Sequence, residues 1–317
     1  MMTILTIGFA CLDLVCFTSP NLEKNGVIPP DNIVRCGGGS CANTAYLLAL
    51  WGEAIYHISH LNNDSYGNQI VSELTDAGVN TEQFIFSENM ITPLEAITID
   101  KQTGMQTIIS HRLTTPPKLT DDEKNKLNHF MQTIRGYNIV ILVDGYEAEL
   151  SEYIIKNLPK TKVIMSIDSL SDSSLYLAQH ADYVIVTEQF ACAFLKIKSF
   201  SDKKTIKDAF KKLRSLTRGK VIIRMGEKGS AYLDRQEVII IPGFKNQSID
   251  KMTESDIFQG AFAYGISYDW PLEKTLLFAN LSVAAVNQQK RGRSAMPNLV
   301  DINRVGKTFS KHFTPYF

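Results

Sequence analysis

Residues 250–260 contain the carboxylate that is best placed to do chemistry in this chain, Asp256. The apolar pattern predicts a helix over residues 257–266, so Asp256 is expected at the first turn of that helix, where amide groups and the helix dipole favour an anion. A lone aspartate there is usually a helix cap. The alternative is a general base that takes the proton of a substrate hydroxyl while its oxygen attacks a phosphoryl group.

A second candidate group lies at residues 37–45, where three glycines and a serine lead into a predicted helix. Small residues let a ligand approach the backbone, and the first amides of a helix remain unpaired. A glycine turn that does no more than enter a helix explains the same pattern. Which role applies depends on the elements that surround the two groups.

The apolar pattern indicates the fold class that positions these groups. Short β-branched runs alternate with segments of 3.6-residue period, which predicts an α/β fold with a doubly wound, mostly parallel sheet. The predicted strands cover residues 4–7, 55–59, 138–143, 162–167, 183–186 and 220–223. The predicted helices cover residues 42–51, 66–77, 147–157, 203–216, 257–266 and 272–288.

Two segments interrupt this alternation. Apolar and polar residues alternate at 94–100 and 106–111 around Thr103-Gly104, which is typical of an antiparallel hairpin. Residues 14–35 contain three prolines, which suit an excursion from the main layers. We expect segments 14–35 and 92–113 to form a small β-sheet lid within a single domain that spans the whole chain.

Composition excludes several classes of function. Lys plus Arg equals Asp plus Glu at 33 each, so the chain of 317 residues offers no general field for nucleic acid or an anionic membrane. No run of about 18 uncharged apolar residues is present, and the first residues lack a basic leader. We expect a soluble, cytoplasmic protein.

Several conspicuous side chains are expected to be structural. The five cysteines lack zinc-site spacing, so they are interpreted as reduced core thiols. Histidines 57, 60 and 111 also lack ligand spacing, and the basic run at 290–293 is expected to face water. We expect three aromatic residues to pack rather than to stack on a base: Tyr264, Tyr268 and Trp270.

The order of the motifs resembles that of the ribokinase/PfkB family of carbohydrate kinases, and within it the ketohexokinase-like members, from residue 4 to about 297. The motifs that carry the resemblance are Gly8-x-x-x-x-Asp13, Gly38-Gly39-Ser40-Cys41-Ala42-Asn43, Asn63-Asp64-Ser65-Tyr66-Gly67 and Gly226-Glu227-Lys228-Gly229. Residues 250–260 are similar, in register, to the family signature Asp-Thr-x-Gly-Ala-Gly-Asp-x-Phe-x-Gly.

The resemblance implies a three-layer α/β domain with a β-lid, and it implies roles for individual residues. Asp256 would be the general base, and ATP with Mg²⁺ would be the donor. The residues implied to bind the sugar are Asp13, Gly38, Gly39, Asn43 and the lid residue Arg112. Those implied to bind the nucleotide are Thr187, Arg224, Gly226, Gly229, Thr253, Glu254, Ser255 and Asn280. No protein ligand to a metal is expected.

The chain departs from the family pattern on the nucleotide side. Thr253-Glu254-Ser255 replaces Gly-Ala-Gly, so side chains occupy space where backbone amides would surround the phosphate. A Glu254 carboxylate about 4 Å from the γ-phosphate would cost on the order of 1 kcal/mol in water. Phe190 stands where many relatives have a glutamate, and Arg224 stands where many have threonine. Arg224 would either contact phosphate or offset Glu254.

Three functions remain open. The first is an ATP-dependent kinase acting on a ketose or related polyol. The second is a weak or inactive descendant that binds a sugar-like ligand or a protein partner, and the third is a kinase with another phosphoryl donor. Exposed edges of the predicted lid also suggest that two lids pair in a homodimer.

Overall fold

The computed structural model describes residues 2–18, 33–100, 105–168, 171–245, 251–287 and 292–309. The strands are β1 Met2–Ile7, β2 Cys11–Thr18, β3 Ile33–Gly38, β4 Ile55–Ile58, β5 His60–Leu61, β6 Ile85–Phe86, β7 Leu94–Asp100, β8 Gln106–His111, β9 Asn138–Val143, β10 Lys162–Ile167, β11 Tyr183–Thr187, β12 Lys220–Arg224, β13 Ser230–Asp234 and β14 Glu237–Ile241. The helices are α1 Ser40–Leu50, α2 Ser65–Asp76, α3 Asp121–Ile134, α4 Ala148–Asn157, α5 Asp172–Ala178, α6 Glu188–Leu195, α7 Lys203–Leu213, α8 Lys251–Ser267, α9 Leu272–Ala284 and α10 Leu299–Phe309.

The central sheet has eight strands in the order β14-β13-β12-β11-β10-β9-β1-β4. The six strands from β12 to β4 are parallel, and β13 and β14 add an antiparallel edge. The chain runs from β1 outward to β4 and then returns to β9 on the other side of β1. This reversal is a topological switch point, and ligands of open α/β sheets bind outside the carboxyl ends of the strands at such a point.

Helices cover both faces of the sheet. Ile4 of β1 packs with buried residues of α1, α8 and α9, whereas Leu5 and Ile7 pack with α3, α4 and α5. Alternate residues of a strand point to opposite faces, so β1 contributes to both cores. The predicted α/β fold with a doubly wound, mostly parallel sheet in three layers is confirmed.

The lid is a separate four-stranded sheet in the order β3-β2-β7-β8. Strand β2 pairs antiparallel with β3 and parallel with β7, and β7 and β8 form the predicted hairpin. The first lid segment was predicted at 14–35. Its strands β2 and β3 begin at Cys11 and end at Gly38, three residues beyond each of these bounds. The hairpin turn at 103–104, the central part of segment 14–35 and Asp250 lie outside the described residues. The predicted end of the helix at 272–288 is wrong, because α9 ends at Ala284 and residues 285–287 are not helical.

Several elements were not predicted: α3, α5, α6, α10, β5, β6, β13 and β14. Helix α3 begins at a capping box, in which Thr120 accepts from the Glu123 amide and the Glu123 carboxylate accepts from the Thr120 amide. The β13–β14 hairpin joins the sheet edge through β12. The prediction that the whole chain forms one domain stays a prediction.

The predicted start of α8 is wrong. The helix begins at Lys251 rather than at residue 257, so Asp256 lies in its second turn and not in its first. Glycine disfavours a helix by about 1 kcal/mol relative to alanine, and Thr253-Glu254-Ser255 lacks the two glycines of the family signature. Without those glycines the helix extends toward the amino terminus. Backbone amides from Ser255 onward then donate within the helix, which removes them from any phosphate cradle.

Candidate active site

Asp256 is buried, with 4% of its surface exposed, and its carboxylate accepts hydrogen bonds from three side chains. Ser40 Oγ donates to Oδ1 at 2.8 Å, Asn43 Nδ2 donates to Oδ2 at 2.9 Å and Gln259 Nε2 donates to Oδ1 at 3.2 Å. Gln259 Nε2 also donates to Ser40 Oγ. Helix α1 supplies Ser40 and Asn43, so α1 and α8 together orient the carboxylate.

A buried arginine stands behind Asn43. Arg293 Nε donates to Asn43 Oδ1 at 2.9 Å, and its Nη1 lies 3.4 Å from Glu73 Oε2 on α2. Arg293 is 6% exposed, so the prediction that the basic run at 290–293 faces water is wrong for this residue. Residues 290 and 291 of that run lie outside the described residues.

The glycines of residues 37–39 allow close approach of the protein's own atoms. A Cβ on Gly38 would lie 2.0 Å from Asp13 Oδ2, and one on Gly37 would lie 2.2 Å from Arg293 Nη1. Gly39 has φ +91°, which disfavours a side chain, and it forms the amino-terminal end of α1. This turn therefore brings Asp13 and Arg293 to the start of α1.

The inner face of the lid carries an acidic group at the base of the site. Asp13 on β2 and Glu95 on β7 are register partners, and both are buried. The Cys11 thiol donates to Asp13 Oδ1 at 3.0 Å, and ligand-type atoms of the three residues lie within 4.8 Å of one another. Burial, together with the charge of Asp13, raises the pKa of the Cys11 thiol well above its usual value. The thiol is therefore a neutral donor.

Arg112, just after β8, connects the lid to the central sheet. Its guanidinium carbon lies 4.5 Å from the ring centre of Phe9 and 5.2 Å from that of Tyr146. These rings follow β1 and β9 and pack edge to face at 5.0 Å. Cation–π contacts of this kind are worth about 0.5–1 kcal/mol at exposed sites. Arg112 therefore reaches the switch point of the sheet.

Asp144 immediately follows β9, at the switch point of the sheet. Its carboxylate accepts from the amides of Phe9 at 2.7 Å and Tyr146 at 2.9 Å. Burial raises the pKa of Asp144, and the two amide hydrogen bonds lower it in part. This side chain therefore holds the loops after β1 and β9 together.

Four of the eight residues that were predicted to bind the nucleotide line a small cavity. Arg224, Gly226, Glu254 and Asn280 line it together with Glu227, Phe244, Phe258 and Val283. The cavity volume is about 50 Å³, far below the 300–1,000 Å³ of typical small-molecule pockets. The part of the pocket that the described residues line is therefore narrow.

Arg224 is the cation of this cavity. Its Nη1 is buried without a hydrogen-bond partner, and its guanidinium carbon lies 5.6 Å from the Phe258 ring centre. Burial lowers the pKa of Arg224, while the charges of Asp168, Glu254 and Asp256 raise it. A buried cationic donor without a partner suits a phosphate oxygen.

The remaining nucleotide-side residues have structural contacts. Thr187 caps α6 by accepting from the Phe190 amide at 3.0 Å, and it pairs with Arg224 in the sheet register. Asn280 Nδ2 donates to Ser230 Oγ and to two carbonyls near the end of β14. Gly229 has φ +95° and closes the turn between β12 and β13. Thr253 and Ser255 lie within α8.

Several residues that the sequence did not single out build this site. Ser40 and Gln259 lay inside quoted motifs without an assigned role, Arg293 lay in the basic run that was expected to face water, and Glu73 and Glu95 carried no signal. Their contacts join segments that are far apart along the chain, such as Asn43 and Arg293. Only the folded chain brings them together.

The histidines and aromatic residues that were predicted to be structural make contacts within the protein. His57 bonds to Thr6 Oγ1 at 2.8 Å, and His60 pairs with the buried Glu147 at 2.8 Å. All five cysteines are free, but the predicted core position is wrong for Cys16 and Cys36, which are half-buried, whereas the other three are buried. Tyr264 packs edge to face on Trp270 at 5.6 Å and lies 4.7 Å from the Tyr268 ring. In the described part of the chain, no helix is long and apolar enough to cross a membrane.

The sheet order and the lid together define a three-layer α/β protein with a small β-sheet lid, in which the buried Asp256 carboxylate lies at the start of α1. The model of the pfkB family carbohydrate kinases matches residues 1–299, so the chain belongs to that family. Among curated relatives, probable fructokinase-5 of Arabidopsis thaliana is 23% identical, with 97% of this chain and 98% of that protein aligned.

Solved structures support the same fold. A putative ribokinase from Agrobacterium tumefaciens has a TM-score of 0.82 at 17% identity and covers 98% of this chain and 99% of its own. The ribokinase of Arabidopsis thaliana complexed with ribose and ATP has a TM-score of 0.77 at 20% identity, covering 95% and 97%. The predicted family and the ribokinase-like fold are confirmed.

Proposed function

We propose that this chain transfers the γ-phosphate of ATP to a hydroxymethyl group of a ketose or related polyol, with Asp256 as general base. The observation that carries the proposal is the position of Asp256, a buried carboxylate held by α1 beside the switch point of the sheet. Membership of a carbohydrate kinase family and similarity to a ribokinase complexed with ribose and ATP support it.

The acceptor would lie between the lid and the start of α1. Asp13 and Asn43 would receive its hydroxyl groups, with Gly38 and Gly39 beside them and Arg112 above, on the lid. A carboxylate has room for about four hydrogen bonds. The acceptor hydroxyl would most easily replace the longest of the three bonds described above, the one from Gln259 at 3.2 Å.

In the reaction, Asp256 takes the proton of the acceptor hydroxyl while that oxygen forms a bond to the γ-phosphorus. The bond from the γ-phosphorus to the bridging oxygen breaks, and ADP leaves. Positioning and charge stabilisation supply most of the rate enhancement in such transfers. Arg224 would carry part of this stabilisation, because its buried Nη1 has no other partner.

Mg²⁺ bound with ATP would neutralise phosphate charge. The phosphates themselves would be its main ligands, which is usual for this ion. On the nucleotide side, Gly226, Gly229 and Asn280 would border the base and ribose, and Thr187 would lie next to Arg224. Thr253, Glu254 and Ser255 of α8 would face the phosphates.

A coupled ADP-release assay with a panel of ketoses, aldoses and nucleosides tests the proposal, with Asp256→Asn as the decisive variant. General bases contribute about 10²–10⁴-fold, so we expect kcat to fall by that factor. The substitution keeps the shape of the side chain, so melting temperature and sugar binding serve as controls. Equal turnover by the two proteins would exclude Asp256 as the base.

A second candidate function is a catalytically weak or inactive protein that binds a sugar-like ligand or a protein partner. The narrow cavity of about 50 Å³ and the extension of α8 through Thr253-Glu254-Ser255 favour it. Calorimetric binding of a sugar without binding of ATP, together with no turnover on the panel, would support this function over the first.

We also propose that two lids pair in a homodimer. Leu14, Ala96 and Ile109 form a row across the outer face of the lid, where each is exposed. Ile33 adds a further exposed apolar side chain on that face. Contiguous exposed apolar surface is uncommon on monomers and is typical of interaction sites.

A further inference from the structure

We infer that Arg293 is a positioning residue for the proposed reaction, and that it orients Asp256 through the side-chain amide of Asn43. The inference rests on the proposed role of Asp256 as general base. Its basis is an unbroken series of side-chain contacts from Glu73 through Arg293 and Asn43 to Asp256.

The chemistry of the two partners determines the orientation of the Asn43 amide. A guanidinium can only donate hydrogen bonds, so the atom of Asn43 that faces Arg293 Nε at 2.9 Å must be the carbonyl oxygen. An ionised carboxylate can only accept, so the atom that faces Asp256 Oδ2 at 2.9 Å must be the amide nitrogen. Both contacts therefore require the same orientation of the Asn43 side-chain amide.

Arg293 is itself held firmly. Its Nη2 lies 3.4 Å from the Gly38 carbonyl, its Nη1 lies 3.4 Å from Glu73, and its guanidinium carbon lies 5.3 Å from the centre of the Tyr46 ring. Glu73 Oε2 also accepts from the Gly37 amide at 2.7 Å. The guanidinium therefore has anchors on α1, α2 and β3, and little freedom to turn.

The surrounding backbone leaves room for this arginine. A Cβ on Gly37 would lie 2.2 Å from Arg293 Nη1, so only glycine at that position accommodates the guanidinium. Arg293 lies in a short 3-10 helix, Gly292–Ala295, that packs against β3. Asn43 thus has a contact within the protein at each end of its amide, which gives it a role besides binding the acceptor.

The test uses the double variant Arg293→Met with Glu73→Gln, because removing the arginine alone would leave the half-buried Glu73 carboxylate without its cationic partner. Arg304→Met is the matched control, since Arg304 pairs with Asp301 at 3.2 Å on the exposed surface of α10. A misplacement of about 1 Å can cost on the order of 10²-fold in rate. We expect that loss in kcat for the double variant, a smaller loss for Arg293→Lys and none for the control.

The kinetics use ATP with D-fructose and with D-ribose as acceptors. A positioning role predicts that kcat falls while KM for the acceptor changes by less than about threefold, whereas loss of binding would raise KM alone. Unchanged kcat in a folded double variant overturns the inference.

Crystal structures of the wild type and the double variant decide the question independently of turnover. We expect the Asn43 amide to rotate and the Asp256 carboxylate to shift in the variant. An Asp256 carboxylate at its original position overturns the inference, whatever the activity. If the wild type turns over no acceptor, the proposed function fails, and the crystallographic comparison still decides whether Arg293 orients Asp256.

Discussion

Thr253, Glu254 and Ser255 alter the phosphate side of the site in two ways. They lie within α8, so that the Ser255 amide donates within the helix, and they add a buried carboxylate at the cavity wall. Arg224 lies at the same wall with an unpartnered Nη1. A cationic side chain thus stands beside these altered residues, and its charge is opposed by that of Glu254.

Replacing Glu254 by glutamine should tighten ATP binding. The substitution removes a like charge worth on the order of 1 kcal/mol at about 4 Å, which corresponds to about fivefold in Kd. It also removes one of the three carboxylate charges that act on Arg224, those of Asp168, Glu254 and Asp256. Isothermal titration with ATP measures the effect, and Glu254→Gly should act in the same direction while shortening α8.

Glu227→Gln is the matched control for this prediction. Glu227 borders the same cavity but is exposed, so solvent screens its charge and we expect little change in Kd. Unchanged or weaker ATP binding by Glu254→Gln would show that the Glu254 carboxylate points away from the phosphates.

At the scale of elements, close contacts of α8 with its neighbours position Asp256. A Cβ on Gly260 would lie 3.0 Å from Leu47 of α1, and one on Gly265 would lie 2.7 Å from Thr275 of α9. Ordinary side chains do not approach so closely. Gly260 therefore allows the close approach of α1 that brings Ser40 and Asn43 to the carboxylate, and Gly265 allows the close approach of α9.

Gly265→Ala should destabilise the protein, because the added methyl group must displace the buried Thr275 side chain. Overpacking in a core costs typically about 1–3 kcal/mol, which exceeds the helix propensity of about 1 kcal/mol that alanine gains over glycine. The free energy of unfolding in urea measures the difference.

Gly136→Ala serves as the control in the same assay. A Cβ on Gly136 would meet nothing within 4 Å, so we expect a change of no more than about 0.5 kcal/mol. If Gly265→Ala were as stable as this control, α8 and α9 would not be in close contact at Gly265.

At the scale of the whole molecule, the two faces of the lid differ in burial and in the kind of side chain they carry. The inner face carries the buried Asp13 and Glu95 beside the proposed acceptor site, and the outer face exposes Leu14, Ile33 and Ile109. Because side chains alternate along a strand, the two tasks are possible on the same strands. Pairing of two outer faces would also cover sheet edges that otherwise remain open.

Ile109→Lys should weaken the proposed dimer. A charge at this row would have to be desolvated in a paired lid, at a cost of several kcal/mol. Sedimentation velocity at increasing concentration measures the association. Val300→Lys is the control, because Val300 is 66% exposed on α10 and Ile109 is 70% exposed on β8. A wild type that stays monomeric at high concentration would exclude the dimer.

The sequence by itself determined much of the layered fold. Strands β9 and β10 have the predicted bounds, and β1, β4, β11 and β12 are within two residues of theirs. These elements follow local patterns, because β-branched runs and 3.6-residue periods depend on near neighbours. The motifs also located Asp13, Asn43 and Asp256, whose positions follow from short spacings in the chain.

Two features of the site follow from the tertiary structure and not from these spacings: the start of α8 and the burial of Arg293. The start of α8 depends on propensity summed over several residues without the family glycines, and the burial of Arg293 depends on Glu73, Gly37 and Asn43. The last three residues are more than 200 positions away in sequence. A contact of that kind arises only when packing brings distant segments together, so no local pattern in the chain records it.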